Sequence, residues 1–482
     1  MANPLTSTPA GVEAGAPGYR RLPLADSTSP RPRRRRHMMA AALVATYLIA
    51  AVVAIAAHRV FPVAQWLALH LLVLGAATNA VFVWSRHFAQ ALLHARLGSE
   101  TPAHVRLAVL NAGIVSVLVG VAMPLVPLAV AGAALVTAAV IAHTLSLVAM
   151  ARGAALSGRL RITVRFYVAG GVALAVGASL GAVLASNTAQ SDAWERTVVL
   201  MHAHLNVLGW LGLSVVGTQF MLWPAVLRTR MADEAPVVAR RVLIGTVTGL
   251  AVAVTGLLLS ADIGPMHWLA AAGMALYTAA VAYSLRPAVL ELRAKRPRSA
   301  CAWALLLGNC WLIAALALDV AGLSRGLAAA DSLLDRVLVP LLGLGVVAQI
   351  LTGALGFLLP VTVGGGPAGN RRMASILDYG WPARAALGNI GVLILAVAQE
   401  PGWRAAGWIG VLAGFGTFPL LTLVALAAVR RTPRETHGPD TPDRHRPPAR
   451  KLDGHEIIAL SSIAVAAVVL GLIASGTWPS SS

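Results

Sequence analysis

Long apolar runs separated by short polar loops dominate the chain, and this pattern predicts membrane-spanning helices. Each run continues for roughly 18–25 residues, the length that a helix needs to cross the hydrocarbon core of a bilayer. Strands of an outer-membrane barrel would show about ten residues of strict alternation instead. The runs predict thirteen transmembrane helices, at residues 38–58, 63–85, 104–126, 128–150, 163–186, 198–225, 240–261, 265–285, 300–322, 335–361, 384–399, 404–429 and 456–477.

Composition agrees with this pattern and excludes other classes of protein. Of the 482 residues 57% are hydrophobic and 12% charged, and the mean hydropathy is +0.74. A soluble enzyme has about twice that charged fraction. The net charge of +19 lies in the tails and in alternate loops rather than on one face, so nucleic acid is not a predicted partner. The two cysteines, Cys301 and Cys310, share one apolar segment and form neither a disulfide framework nor a CxxC metal site.

The distribution of charge predicts the orientation of the chain in the membrane. Residues 1–37 form a Pro- and Ser-rich tail, predicted to be disordered, that ends in a run of arginines. Loops after even-numbered helices are also rich in arginine, and residues 430–455 form a strongly basic loop. By the positive-inside rule these regions are cytoplasmic, which places the amino terminus inside and the carboxyl terminus outside. The opposite loops are short or acidic, with Asp192, Glu195, Asp262, Asp319, Asp331, Asp335 and Glu400.

Only two of the 38 basic residues, Lys295 and Lys451, are lysines. Together with heavy use of alanine, valine, glycine and leucine, this composition indicates a GC-rich bacterium. The predicted location is therefore the bacterial cytoplasmic membrane, with the lipid bilayer as the surrounding partner.

An internal repeat emerges when the second, sixth and tenth predicted helices are aligned. His70–Gly75 reads HLLVLG and matches HLNVLG at His204–Gly209, and PLLGLG at Pro340–Gly345 falls in the same register. Neighbouring helices repeat as well, in the same order. The sequence predicts an all-α membrane protein with a twelve-helix core over residues 38–429, built as three four-helix repeats (about 38–150, 163–285 and 300–429), plus a thirteenth helix at 456–477. The third helix of the first repeat matches that of the third repeat, with Arg106, Asn111 and Gly113 aligned to Arg384, Asn389 and Gly391. The fourth helix of the first repeat matches that of the second, with Gly132 and Thr137 aligned to Gly273 and Thr278.

Histidines supply the main candidates for chemistry, because an imidazole inside a membrane is costly and indicates function. Five of the thirteen histidines fall at one predicted level near the outer surface: His58, His70, His202, His204 and His267. They are either interfacial residues or a metal site, and imidazole suits copper, zinc and haem iron. We assign the metal-binding hypothesis to His70, His202, His204 and His267.

Helical geometry separates two of these histidines. His202 and His204 point roughly 200° apart on a regular helix, so only one of them is expected to face a small site. His204 is the better candidate for a ligand because it is in register with His70. Asn206 either orients that ligand or forms a hydrogen bond between helices.

The remaining histidines have simpler expected roles. His143 is expected to pack between helices. The others are predicted to be solvated (His37, His437, His445 and His455) or to anchor the chain at the interface (His87, His94 and His104).

The stretch MHAHLNVLGWLGLSVVGTQFMLWP at Met201–Pro224 resembles the histidine-bearing sixth helix of the haem-copper oxidase and nitric oxide reductase catalytic subunits. It is also similar to the membrane regions of actinobacterial copper oxidases and nitrite-reductase-type proteins. The resemblance covers residues 38–429 and implies twelve helices in three arcs of four. It implies that His70 binds a low-spin haem and that His204 binds the active-site copper.

The sequence departs from that family at two helices. Residues 335–361 lack the two expected haem-ligating histidines, and residues 240–261 lack the expected His-His pair. The resemblance therefore implies a haem or copper protein without a complete oxygen-reducing centre. The expected role is electron transfer, or copper or nitrogen-oxide handling beside a redox partner protein. The alternative is a membrane transporter or scaffold that keeps the fold without a cofactor.

Overall fold

The computed structural model describes residues 30–57, 63–94, 100–154, 160–186 and 191–430. Within these ranges the chain is helical and contains no strand. The predicted thirteenth helix at 456–477, most of the basic loop, most of the amino-terminal tail, and His58, His437, His445 and His455 lie outside the described residues.

Eleven helices in the described ranges are long and apolar enough to cross a membrane. A twelfth span is added if the short helix Pro367–Leu377 and the helix that follows it, bent by 43°, are counted together. The chain is therefore a multi-pass membrane protein. The helices are α1 (Pro30–Ala56), α2 (Ala64–Leu93), α3 (Thr101–Ala122), α4 (Val126–Arg152), α5 (Ile162–Ala185), α6 (Asp192–Leu227), α7 (Ala235–Ser260), α8 (Gly264–Ala294), α9 (Ala300–Leu323), α10 (Pro340–Val363), α11 (Trp381–Val397) and α12 (Pro401–Arg430).

These helices lie close to the predicted segments, with differences of several residues at some ends. α2 and α8 continue to Leu93 and Ala294, past the predicted ends at residues 85 and 285, and α6 begins at Asp192 rather than at residue 198. α1 begins at Pro30 rather than at residue 38, so the last part of the basic tail is helical. α10 is preceded by a short helix, Leu327–Leu333, and a π-helical stretch, Leu334–Leu338, where the prediction placed a loop and the start of the span.

The outside of the bundle is apolar. Large hydrophobic side chains such as Leu145, Val172 and Ile244 are about half exposed or more. Soluble proteins rarely expose apolar surface over so wide an area, whereas lipid chains cover it at no cost. This surface accounts for the high hydropathy of the sequence.

One contact between a first and a second helix recurs at the three aligned positions of the predicted repeat. Gly75, Gly209 and Gly345 each face the preceding helix so closely that a Cβ atom would overlap it. Side-chain atoms of that helix would lie 2.5 to 2.8 Å from the added carbon, and they belong to Tyr47 for Gly75, Ala173 for Gly209 and Trp311 for Gly345.

A second recurrent contact joins third and fourth helices. In each pair a glycine of one helix lies directly against a glycine of the other, which allows the backbones to approach as in small-residue packing of membrane helices. A Cβ atom on the first glycine would lie 2.6 to 2.8 Å from the carbonyl oxygen of the second, in the pairs Gly113 with Gly132, Gly249 with Gly273, and Gly391 with Gly407.

α2, α6 and α10 each contain a π-helical stretch at the position that the predicted repeat aligns. The stretches are Leu71–Ala77 in α2, His204–Gly212 in α6 and Pro340–Ala348 in α10. π-helical turns are rare and are frequently found at functional sites. We call the end of the bundle at which α2, α6 and α10 begin the histidine end.

We expect leucine at Gly113, Gly249 or Gly391 to destabilise the protein by similar amounts, roughly 1–3 kcal/mol each, because the added side chain has no room between the paired helices. The free energy of unfolding in detergent, measured by denaturant titration, tests this expectation. Gly402→Leu is the matched control, since Gly402 is also helical and has open space around it, and it should change stability little. If one of the three variants were as harmless as the control, the glycine contact would not be equivalent in the three pairs.

Candidate functional site

A cavity of about 740 Å³ lies at the histidine end, between α2, α4, α5, α6 and the segment leading into α10. This volume is within the range of about 300–1,000 Å³ found for small-molecule and cofactor sites. Most of the wall is apolar, which is also typical of such sites. The polar and aromatic residues of the wall are Trp66, His70, Thr78, His202, His204, Asn206, Trp210, Asp319, Asp331, Ser332, Asp335 and Arg336.

His70 is held in one tautomer by the helix on which it lies. Its Nδ1 is 2.9 Å from the carbonyl oxygen of Trp66, one turn earlier. Because a carbonyl oxygen only accepts, Nδ1 carries the proton and donates it, so the neutral ring has its lone pair on Nε2. Among the described residues Nε2 has no hydrogen-bond partner. The ring also stacks on Trp66, with centroids 4.0 Å apart and planes inclined by 24°.

His202 lies next to His70 on the cavity wall. The two ring centroids are 6.4 Å apart and their planes differ by 27°. His202 Nδ1 donates to the carbonyl oxygen of Gly177 in α5 at 2.9 Å. The amide nitrogen of Asn206 lies 3.1 Å from His202 Nδ1 and 3.2 Å from Nε2, and because Nδ1 donates to Gly177, Nε2 is the nitrogen that accepts from it. Asn206 therefore orients an imidazole of its own helix.

His204 faces a different neighbour. Its Nδ1 donates to the carbonyl oxygen of Leu200 at 2.7 Å, and its Nε2 lies 3.0 Å from a carboxylate oxygen of Asp319 in α9. Both side chains are almost fully buried, at 4% and 6% exposure. The sequence had assigned Asp319 to an external loop, and that interpretation is wrong, because Asp319 lies inside α9 and is paired.

α6, the helix that carries His202 and His204, has a capped amino-terminal end. Ser191 caps α6 by accepting a hydrogen bond from the backbone nitrogen of Trp194 at 3.2 Å, and Asp192 and Glu195 in the first turn complement the helix dipole. From this start, His202 is directed to α5 and His204 to α9. These partners agree with the expectation that the side chains of His202 and His204 point in different directions. Both nevertheless line the same cavity, because the cavity is large.

His267 lies apart from the other candidates. It stands at the beginning of α8, where its Nδ1 donates to the carbonyl oxygen of Gly264 at 2.7 Å. Its ring lies beside Trp268, a side chain that is 60% exposed. The cavity wall does not include His267. Of the five histidines predicted at one level, the structure brings together His70, His202 and His204.

Hydrogen bonds from neighbouring helices support the π-helical stretches beneath the histidines. Thr78 donates to the carbonyl oxygen of Val73 at 2.9 Å and accepts from Trp210 Nε1 at 3.2 Å. Tyr277 in α8 donates to the carbonyl oxygen of Leu208 at 2.9 Å. These contacts satisfy carbonyl groups that a regular α-helix would bond within its own backbone, and they join α2, α6 and α8 at the cavity wall.

Carboxylates lie at the mouth of the cavity. Asp331 forms a long ion pair with Arg196, at 3.8 Å, and Asp335 and Arg336 also line the wall. Burial raises the pKa of Asp331, and the nearby charges of Asp335 and Glu195 add to this effect against the opposing one of Arg196. The mouth therefore carries more negative than positive groups.

The histidine at the centre of α4 has the expected structural role. His143 is buried, its Nε2 lies 2.9 Å from Ser85 Oγ, and its ring stacks on Phe82 at 4.0 Å. It joins α4 to α2 and does not line the cavity.

In the part of the chain that the structure describes, no group of three or more histidine, cysteine, aspartate or glutamate side chains is arranged to hold a metal ion. A copper centre with several protein ligands is therefore not assembled among these residues. A haem requires only one or two protein ligands. His70, with a protonated Nδ1 and a free Nε2 on a cavity wall, meets that smaller requirement.

Comparison of the chain with models of known protein families and with curated proteins finds no match.

Proposed function

We propose that this multi-pass membrane protein binds haem in the cavity at the histidine end and acts in electron transfer, or in copper or nitrogen-oxide handling, beside a redox partner. One observation carries the proposal. His70 lies on the wall of a 740 Å³ cavity, where its Nδ1 is fixed by the Trp66 carbonyl and its Nε2 has no partner among the described residues. A histidine that ligates a metal through one ring nitrogen usually donates from the other to a carbonyl or carboxylate, as His70 does.

The residues around the cavity favour haem over copper. Haem would supply one-electron redox chemistry, and His70 would be its protein ligand. Trp66 would hold the His70 ring in place by stacking, and the apolar wall would exclude water. His204 is a weaker candidate ligand than the sequence indicated, since binding through Nε2 requires it to leave Asp319.

The proposed fold behind this site is three units of four helices, α1–α4, α5–α8 and α9–α12. The recurrent glycine contacts and the aligned π-helical stretches support it. A further parallel links the first and third units, where an aromatic donor of the first helix bonds an asparagine of the third. Tyr47 donates to Asn111 at 2.8 Å, and Trp311 donates to Asn389 at 2.6 Å.

The proposed orientation places the histidine end outside the cell. Arginines concentrate at the opposite end of the bundle, which the positive-inside rule assigns to the cytoplasm. A site facing outward would exchange electrons with a partner outside the cytoplasmic membrane.

Optical and metal analysis of the purified full-length protein tests the proposal. We expect a Soret band, a change of the spectrum on reduction, and iron in a fixed ratio to protein. If copper were found without iron, the cavity would be assigned to copper and not to haem. Absence of the band and of both metals, in protein expressed with sufficient haem and copper, would overturn the redox proposal in favour of a cofactor-free transporter or scaffold.

A further inference from the structure

Three arginines from three helices meet at the end of the bundle opposite the cavity. Arg36 belongs to α1, Arg86 to α2 and Arg106 to α3. Arg36 and Arg86 both donate through Nη1 to one carboxylate oxygen of Glu100, each at 2.5 Å. Arg106 lies close enough to Arg86 for the two cations to repel each other. We call Arg36, His37, Arg86 and Arg106 the basic cluster.

The charges of the basic cluster are not balanced by Glu100. Burial alone would raise the pKa of Glu100, but the hydrogen bonds and positive charges of Arg86 and Arg36 lower it below its ordinary value. Glu100 is therefore ionised near neutral pH and contributes one negative charge against three guanidinium groups. A surplus of about two positive charges remains at a place where the side chains are only partly exposed, 29% for Arg36 and 18% for Arg86.

Three nitrogen atoms of the basic cluster are buried without a hydrogen-bond partner among the residues that the structure describes. They are Arg36 Nε, His37 Nδ1 and Arg106 Nε. The two guanidinium nitrogens can only donate, and a buried donor left unpaired costs about 1–3 kcal/mol, more for a charged group. An acceptor that carries negative charge would offset the surplus charge and, once these side chains turn toward it, would pair with the unpaired nitrogens.

His37 is not in the solvated tail to which the sequence assigned it. Its ring stacks on Trp84 with centroids 5.0 Å apart and planes inclined by 19°, and it meets the edge of His87 at 5.0 Å. This packing holds one wall of the cluster in place. The cluster is therefore held in place on its His37 side, at the ends of α1 and α2, rather than formed by freely moving side chains alone.

We propose that the basic cluster binds a phosphate group. Guanidinium groups pair with phosphate through two parallel hydrogen bonds, which suits a cluster of three arginines in which Arg36 and Arg106 each have an unpaired Nε among the described residues. Phospholipid headgroups and free phosphate share this chemistry, and the position favours the headgroup. The cluster lies at the ends of three membrane spans, and exposed apolar side chains beside it, Met39 (63% exposed) on α1 and Val105 (54%) on α3, offer a surface for an acyl chain. This inference does not depend on the haem proposal.

Native mass spectrometry of the full-length protein tests this site. Protein depleted of lipid by detergent washing is mixed with phosphatidylglycerol, and bound lipid is counted. We expect one tightly held phosphatidylglycerol per chain. The variant Arg36→Gln/Arg106→Gln should lose about tenfold or more in affinity, because two charge-assisted interactions are removed. Arg106→Lys, which keeps the charge but not the planar fork, should lose less than Arg106→Gln.

Arg240→Gln is the matched control, because Arg240 is an exposed arginine on another span, in α7, and it should bind lipid as the unaltered chain does. Inorganic phosphate, added to lipid-free protein in equilibrium dialysis, separates the two sources. Binding of inorganic phosphate with the same dependence on Arg36 and Arg106, and no retention of phosphatidylglycerol, assigns the site to a free anion. The proposal is overturned if the protein binds neither probe. It is also overturned if all variants, shown to be folded by size-exclusion chromatography, bind lipid equally well.

Discussion

Replacing His70 by alanine is expected to abolish the Soret band and the bound iron of the purified protein. Of the histidines that the structure describes on the cavity wall, His70 is the one whose Nε2 has no described partner, and its Nδ1 already donates to the Trp66 carbonyl. Removal of this ring leaves His202 and His204, whose Nε2 atoms are bonded to Asn206 and Asp319. Absorbance and iron content per mole of protein measure the effect.

His267→Ala is the matched control for this prediction. Both histidines were predicted ligands at the same membrane level, and only His70 lines the cavity, so His267→Ala should keep the spectrum. His70→Gly supplied with imidazole should regain part of the Soret band, because the free base can occupy the vacated space. Full cofactor retention in His70→Ala would remove His70 as the ligand, and equal loss in both variants would point to a general effect on folding.

The spans of the bundle were predictable because lipid requires long apolar runs with internally bonded backbones. The described helices therefore match the predicted ones closely. The start of α1 was missed, since a run of arginines reads as solvated sequence, whereas in the fold Arg34 Nε donates to the carbonyl oxygen of Val363 at 2.7 Å. Such a contact joins residues that are far apart in the chain and leaves no local signal.

The candidate site was predictable only in part. Register with the repeat singled out His70 and His204, and the structure places both on one cavity wall. His267 was included because it shares their depth, but depth along the membrane normal says nothing about position around the bundle. Sequence reasoning can order residues by depth and cannot decide which helices are neighbours.

Asp319 shows what sequence reasoning could have found. It is the only charged residue of α9, and a lone carboxylate within an apolar helix is a functional or paired group by default. Its partner could not be named, since His204 is 115 positions away. The roles of Thr78 and Tyr277 could not be predicted either. Their hydroxyl groups stabilise π-helical backbone that no local sequence pattern predicted.

Asp319→Leu is expected to destabilise the protein by about 3–5 kcal/mol, because it leaves His204 buried without the partner of its Nε2. Leucine removes the 3.0 Å contact between His204 Nε2 and the carboxylate, and with it the side-chain link between α6 and α9. Unfolding in detergent, followed by tryptophan fluorescence during denaturant titration, measures the loss.

Asp319→Asn and the double variant His204→Leu/Asp319→Leu separate the causes of this loss. Asparagine can donate its amide proton to the neutral His204 Nε2, so it should cost only about 1 kcal/mol. The double variant replaces both polar partners by apolar groups and should recover most of the stability that Asp319→Leu loses, as with other buried pairs. If the single and double leucine variants were equally unstable, Asp319 would stabilise the bundle by contacts other than His204. If Asp319→Leu were harmless, the buried pair would not join the two helices.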